Sequence, residues 1–180
     1  MIVREYQPIG RYQWGSLLRP ERFRDYSGLV ARIEKTQGLL KRIVAEYRGF
    51  LDGDFQVMGR KNTSAIVISK LMANYYTCAE TLFLRTSQFF ENDLDANRWH
   101  TDLLDKMTLH IEGVRNPVIG EQTAKWLGEL MKFRHFRRYY FELEYDWDKL
   151  DYLQKIFGKA HESLPGDLES FKTFLRQLNE

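Results

Sequence analysis

A chain of 180 residues with 43% hydrophobic and 14% aromatic content can form one compact domain with a core of its own, and wholesale disorder is excluded. Its formal net charge is only +2, from 27 basic and 25 acidic residues, so contact with a polyanion must rest on a local patch. A lone cysteine, Cys78, excludes an intramolecular disulfide and a multi-cysteine zinc site.

Residues 1–20 show no sustained period and read as a locally packed arm, ahead of one helical domain over 21–180. The first six residues, Met1 to Tyr6, lack the apolar core of a signal peptide, and no apolar run approaches the roughly 20 residues that span a bilayer. A cytoplasmic protein without membrane contact is expected. From about Pro20 to Leu51, Leu29, Ile33, Leu40, Val44 and Tyr47 repeat at helical spacing, and Asp52-Gly53-Asp54 ends the pattern. Asn62-Thr63-Ser64 caps a second predicted helix, whose stripe runs through Ile68, Leu71, Tyr75, Ala79, Leu82 and Phe83 to about Phe90. A third helix covers roughly Trp99 to Ile111 and stops at Glu112-Gly113. A fourth spans about Gly120 to Phe141. Asp146 caps a fifth, and Pro165-Gly166-Asp167 is expected to separate it from a short sixth. With strand-like alternation nearly absent, the fold class is all-α, an antiparallel bundle of five to six helices.

The run from Phe133 to Phe141 is where chemistry concentrates: Arg134, His135, Arg137 and Arg138 stand among Phe133, Phe136, Tyr139, Tyr140 and Phe141. Residues three and four apart share a helix face, so Leu127, Leu130, Arg134, Arg138 and Phe141 form one stripe that turns from apolar to arginine. Arginines that continue a core stripe need carboxylates, phosphates or a wet cleft, because an unpaired buried charge is very costly. Their forks bind phosphates bidentately, and neighbouring aromatics can stack on unpaired bases. Lys132, Arg137 and Arg138 are thus candidate RNA contacts; the competing reading is a solvated basic face ahead of Glu142, Glu144, Asp146, Asp148 and Asp151. Glu80, inside the largely apolar Tyr75–Phe83 segment, is the natural partner that orients Arg134 and Arg138.

Of the four histidines, none forms the i, i+4 pair that a helical metal site wants, and no metal or cofactor is expected. His135 and His100 are the candidates for proton transfer. There is no glycine-rich phosphate loop and no Gly-x-Ser-x-Gly elbow.

The segments Tyr75–Phe83, Arg98–Met107, Arg115–Ile119 and Leu130–Arg138, in that order and spacing, resemble the HepT-like branch of the HEPN superfamily over roughly residues 25–155. The resemblance implies a helical bundle that dimerises around a shared cleft. It also implies metal-independent RNA cleavage by a toxin that a partner nucleotidyltransferase of the MNT type neutralises. The usual signature is an arginine, a polar residue, a short spacer and a histidine, with a tyrosine two residues later. Carried over, the arginine is Arg134 and the polar residue His135, while the histidine position holds Tyr139 and the tyrosine position Phe141. Those two departures weaken acid–base catalysis and remove the hydroxyl that the partner would adenylylate. Two readings follow: a metal-independent endoribonuclease using Arg134, His135 and Tyr139, with His100 as alternative acid or base, or a catalytically lapsed module that binds a nucleotidyltransferase or RNA.

Overall fold

The computed structural model describes residues 26–90, 99–139 and 145–178, with the side chains of 99–101 and 136–139 outside the described residues. The expected arm over 1–20 lies outside them too. Six helices make up the described chain: α1 (Tyr26–Asp52), α2 (Asp54–Met58), α3 (Asn62–Phe90), α4 (Trp99–Thr108), α5 (Glu121–Tyr139) and α6 (Trp147–Gln177). Among the described residues there is no strand, only an isolated bridge between Ile111 and Arg115. The all-α expectation holds.

Side-chain pairs give the directions. Tyr47 reaches Gln154 and Arg176 reaches Glu34, so α1 and α6 are antiparallel. Tyr75 meets Phe157 while Phe90 meets Phe171, so α3 runs the same way as α6. Thr123 bonds Ser163 and Asp167, and the groove further on joins Lys132 to Tyr152, which sets α5 against α6. α3 and α6 thus run one way, and α1 and α5 run the other.

α3 is the central element and touches α1, α4, α5 and α6. Its sequence explains why: Ser64, Ala65, Ile68, Ser69, Met72, Ala73, Tyr75, Tyr76 and Ala79 leave only a narrow polar stripe, and small residues let neighbours approach closely. α1 presents the narrower stripe Leu29, Ile33, Leu40, Val44, Tyr47, all buried. The same Ala65-Ile66-Val67-Ile68 that could alternate as a strand lies inside α3.

One helix replaces the two expected after Asp146. Asp146 caps α6 as anticipated, accepting from the amides of Asp148 and Lys149. α6 then continues through Pro165 to Gln177. The apolar stripe Leu153, Ile156, Phe157, Ala160, Leu164, Leu168, Phe171, Leu175 crosses the proline without losing phase. Interior proline costs about 3 kcal/mol, and burial of Leu164 and Leu168 at about 1.5–3 kcal/mol each offsets it. Asp167, which reads locally as a turn residue, accepts instead from the Gly120 amide and the Thr123 hydroxyl at the start of α5. It caps a different helix. Ser163 bonds the same Thr123 hydroxyl, so α5 grips α6 on both sides of Pro165.

The link between α4 and α5 turns on buried Arg115, whose guanidinium donates to the carbonyls of Lys106, Leu109 and Asn116. A cation at a helix C-terminus satisfies orphan carbonyls and complements the helix dipole. Gly113, at φ 69°, takes the left-handed turn that returns the chain to it. Arg115→Ala leaves those carbonyls unsatisfied and should lower the unfolding free energy by on the order of 3 kcal/mol in a denaturant titration.

His161, half-buried on α6, lies 3.2 Å through Nδ1 from the Tyr75 hydroxyl, whose own pKa burial pushes well up. The phenol stays protonated and donates to Nδ1 or accepts from it according to the imidazole tautomer. Burial first, then the charges of Arg48 and Lys41 against the opposing Glu162, hold the imidazole below its usual pKa of 6.5. The unfolded chain binds that proton more readily, so this contribution is present above about pH 6.5 and is lost as pH falls below it. His161→Gln, which keeps an acceptor but does not titrate, should lose less stability than the parent between pH 7.5 and pH 5 by denaturant midpoint.

Candidate functional site

Arg134 is where the apolar stripe of α5 changes character. Leu127 and Leu130 on that stripe are buried against the core, and one turn on the guanidinium meets α3. Arg134 Nη1 donates to Glu80 Oε2 at 2.6 Å and Nη2 to Glu80 Oε1 at 2.9 Å, a bidentate fork. Both side chains are largely withdrawn from water, at 16% and 7% exposure, so the pair is a held charge rather than a surface bridge. Glu80 is thus paired with Arg134, one of the two arginines the sequence offers it, and the side chain of the other, Arg138, lies outside the described residues.

Three further groups complete the arrangement. The guanidinium carbon sits 4.9 Å above the centre of the Tyr76 ring, a cation–π contact. Nη1 also approaches Thr77 Oγ1 at 3.4 Å. Nη2 lies 3.2 Å from His135 Nε2; arginine only donates, so that nitrogen accepts and the ring proton stands on Nδ1. Although the two residues are about 100° apart around the helix, half-buried His135 turns toward its neighbour. Tyr76 is fully buried, and burial followed by the Glu80 carboxylate raises its hydroxyl pKa well above 10, so it stays a neutral platform. Sequence reading passed over Tyr76 and Thr77. Their signal was spacing, since both lie within one turn of Glu80.

The remaining candidates divide. Lys132 sits on the far side of α5, about 160° from Arg134, paired at 2.8 Å with Glu129 in a groove lined also by Phe133, Lys149, Tyr152 and Leu153. It does not join the Arg134 cluster, because a two-residue offset on a helix points nearly opposite. Arg137, Arg138 and Tyr139 belong to the last turn of α5 and His100 to the first turn of α4, and their side chains lie outside the described residues. Phe141 and Tyr140 lie outside them altogether. Trp126 and Phe133, the second apolar stripe of α5, pack partly buried against the core within the chain. Cys78, half-buried, has its thiol pKa raised by burial and is an unreactive thiol at neutral pH. Among the described residues, no group of three or more His, Cys, Asp or Glu side chains gathers as a metal site would need.

The HepT-like resemblance sets its arginine on Arg134 and its polar residue on His135, and these two side chains lie together beside Glu80. The family model for HepT-like proteins matches residues 67–175, from α3 through most of α6. The chain belongs to the HepT-like family. Searches of curated proteins and of solved structures return no match. The matched span of this HepT-like protein contains Tyr76, Thr77, Glu80, Arg134 and His135, and excludes α1, which the resemblance had included. No helix among its described residues is long and apolar enough to cross a membrane.

Removing one partner of the pair leaves the other buried and uncompensated. Glu80→Ala should destabilise the protein by on the order of 3 kcal/mol, and Glu80→Gln by less because one acceptor and the shape persist. Denaturant unfolding of both variants checks the order.

Proposed function

We propose that this HepT-like HEPN protein is RNA-directed, that it works in the cytoplasm as a homodimer in a toxin–antitoxin type pair, and that it binds RNA with slow cleavage. The observation that carries the reading is the Arg134 arrangement: a guanidinium forked onto Glu80, laid on Tyr76 and donating to His135 at a partly open rim. Preorganised charge of this kind is aimed at an oxyanion that develops in a transition state, or at a phosphate already present.

Metal-free RNA cleavage needs a base for the ribose 2′-hydroxyl proton, attack of that oxygen on phosphorus, and a cation for the phosphorane. Arg134 supports the last role, and His135 is the nearest described base. The His135 Nε2 lone pair is engaged by Arg134, so it has to be released before it takes a proton. Tyr139, in the position where the family places a histidine, is a phenol with a pKa of about 10 and a poor base at neutral pH. Both facts favour slow chemistry over a fast endoribonuclease. Arg137 and Arg138, one turn beyond, supply further cations for phosphates. A nucleotidyltransferase of the MNT type is the expected protein partner; with Phe141 at the family's tyrosine position, adenylylation would need another hydroxyl.

The decisive variant replaces both partners, Arg134→Met with Glu80→Met, which avoids a stranded charge and keeps the bundle folded. It should lose single-stranded RNA binding while retaining its helical circular dichroism signal; parent-like affinity would refute the reading. In chelator the parent should cut RNA slowly, and His135→Ala should lower that rate by about 100-fold or more while RNA still binds. Rapid cleavage by the parent would establish the endoribonuclease alternative instead.

A further inference from the structure

α3 carries a single carboxylate in its 29 residues, Glu80, and that one is buried and held by Arg134. Each of the other long helices carries at least two: Glu34, Glu46 and Asp52 on α1, Asp102 and Asp105 on α4, Glu121 and Glu129 on α5, and Asp148, Asp151, Glu162, Asp167 and Glu169 on α6. The solvent-facing stripe of α3 is instead Lys70, Asn74, Thr77, Thr81, Arg85 and Gln88, at helical spacing and without a negative charge. Thr77 and Thr81 turn their hydroxyls back onto the carbonyls of Ala73 and Thr77, which leaves that part of the stripe short and low. Thr77 also touches Arg134. The stripe therefore passes the candidate site at Thr77 and leads on from it toward Gln88.

It leads to a second concentration of positive charge. About 12 Å along the axis from Thr77, eight residues at 1.5 Å each, Arg85 meets Arg32 of α1 across a groove of about 370 Å³. Gly28, Leu29, Gln88 and Phe89 complete its lining. Both arginines are exposed, and among the described residues neither has an ion-pair partner; Arg85 donates to Gln88 Oε1 at 3.3 Å. Phe89 is partly buried, braced by Tyr26 and Phe90 with ring centres 5.6 and 5.0 Å away, so the remaining aromatic edge stands beside two exposed guanidinium groups.

We propose that the Arg32–Arg85 groove is a second RNA subsite, reached from the Arg134 site along the acid-free stripe of α3, and that its ligand is the backbone of a single strand with a base stacked at Phe89. The proposal rests on the RNA-directed reading of Arg134 and adds the path of the strand. Charge complementarity selects the occupant: a carboxylate-free stripe between two arginine sites attracts phosphates along its length, and an aromatic next to cations stacks any base without sequence preference. A duplex fits less well, since its bases are already paired and stacked.

The test uses the full chain and two labelled, unstructured oligouridylates, one of about twelve nucleotides and one of about four, which bracket a single-strand site. Arg32→Ala with Arg85→Ala should weaken the longer RNA by more than about tenfold at low salt, and should make the slope of log affinity against log salt shallower by about 1.4, at about 0.7 per phosphate. The shorter RNA, held at Arg134, should bind as it does to the parent. Arg32→Lys with Arg85→Lys, which keeps both charges, should restore most of the slope. Both residues are exposed, so fold is not at stake, and circular dichroism verifies that. If the alanine pair binds the longer RNA as the parent does while the Arg134→Met, Glu80→Met variant loses both lengths, the groove is overturned and the Arg134 reading stands. If that second variant binds both lengths normally, the Arg134 reading itself has failed. If the alanine pair changes the mass by light scattering and leaves RNA affinity intact, the stripe is a contact between copies of the chain, and the subsite is overturned.

Discussion

A carboxylate in the wall of a helix that four others surround has to be neutralised, and the rest of the site follows from how that is done. Glu80 lies on α3, the element with the most neighbours, where water cannot screen it. The counter-ion comes from α5 as a two-pronged fork, which constrains distance, rotation and register between the two helices at once. With α5 locked in that rotation, Leu127 and Leu130 face the core, Lys132 faces away, and His135 is left at the rim within reach of Arg134. A buried ion pair contributes little net stability against well-packed apolar residues, so its retention here reads as specification of geometry.

The same logic of satisfying polar groups across the chain governs the joints. Asp167 of α6 caps the start of α5, and Arg115 closes the end of α4, so each helix end near the site is tied to a different element. These ties fasten the α4–α5–α6 corner, which contains a proline and a left-handed glycine, through hydrogen bonds between different elements. A fixed corner matters for function because α5 carries Arg134 near its other end. Any rotation of α5 would break the fork.

Two kinds of arginine coexist in the protein. Arg134 and Arg115 have their donors committed to protein acceptors and act as positioned charge and as structure. Arg32 and Arg85 stand in water beside an aromatic ring, where a guanidinium keeps its capacity to take a phosphate. Binding that depends on the first kind is set by geometry, whereas binding that depends on the second is set by electrostatics and responds to salt. A net charge of +2 conceals this arrangement, since what matters is the placement of acids off α3.

Helix existence was legible in the sequence wherever an apolar stripe ran unbroken, as in Leu29 to Tyr47 and Ile68 to Phe83, because burial of one face dominates local preference. So was the Asp146 cap, a purely local interaction, and so was the Arg134–Glu80 pairing, because a charge continuing a core stripe admits few partners. The proline of α6 was misread for a physical reason: Pro165-Gly166-Asp167 has the chemistry of a turn, and only α5 docking on Ser163 and Asp167, together with burial of Leu164 and Leu168, makes the helix the lower-energy course. Lys132 was grouped with Arg134 by nearness in sequence, although a two-residue offset on a helix already sets the two on nearly opposite faces. Tyr76 lies 58 positions from the Arg134 it underlies, Arg115 lies 9 from the Lys106 carbonyl it meets, and Arg32 lies 53 from Arg85. The sequence by itself determined where the long apolar stripes form helices, which faces they bury and the need to neutralise Glu80. Tertiary structure alone decided which distant groups meet, because contact across helices depends on their packing angle and register, and no local pattern encodes either.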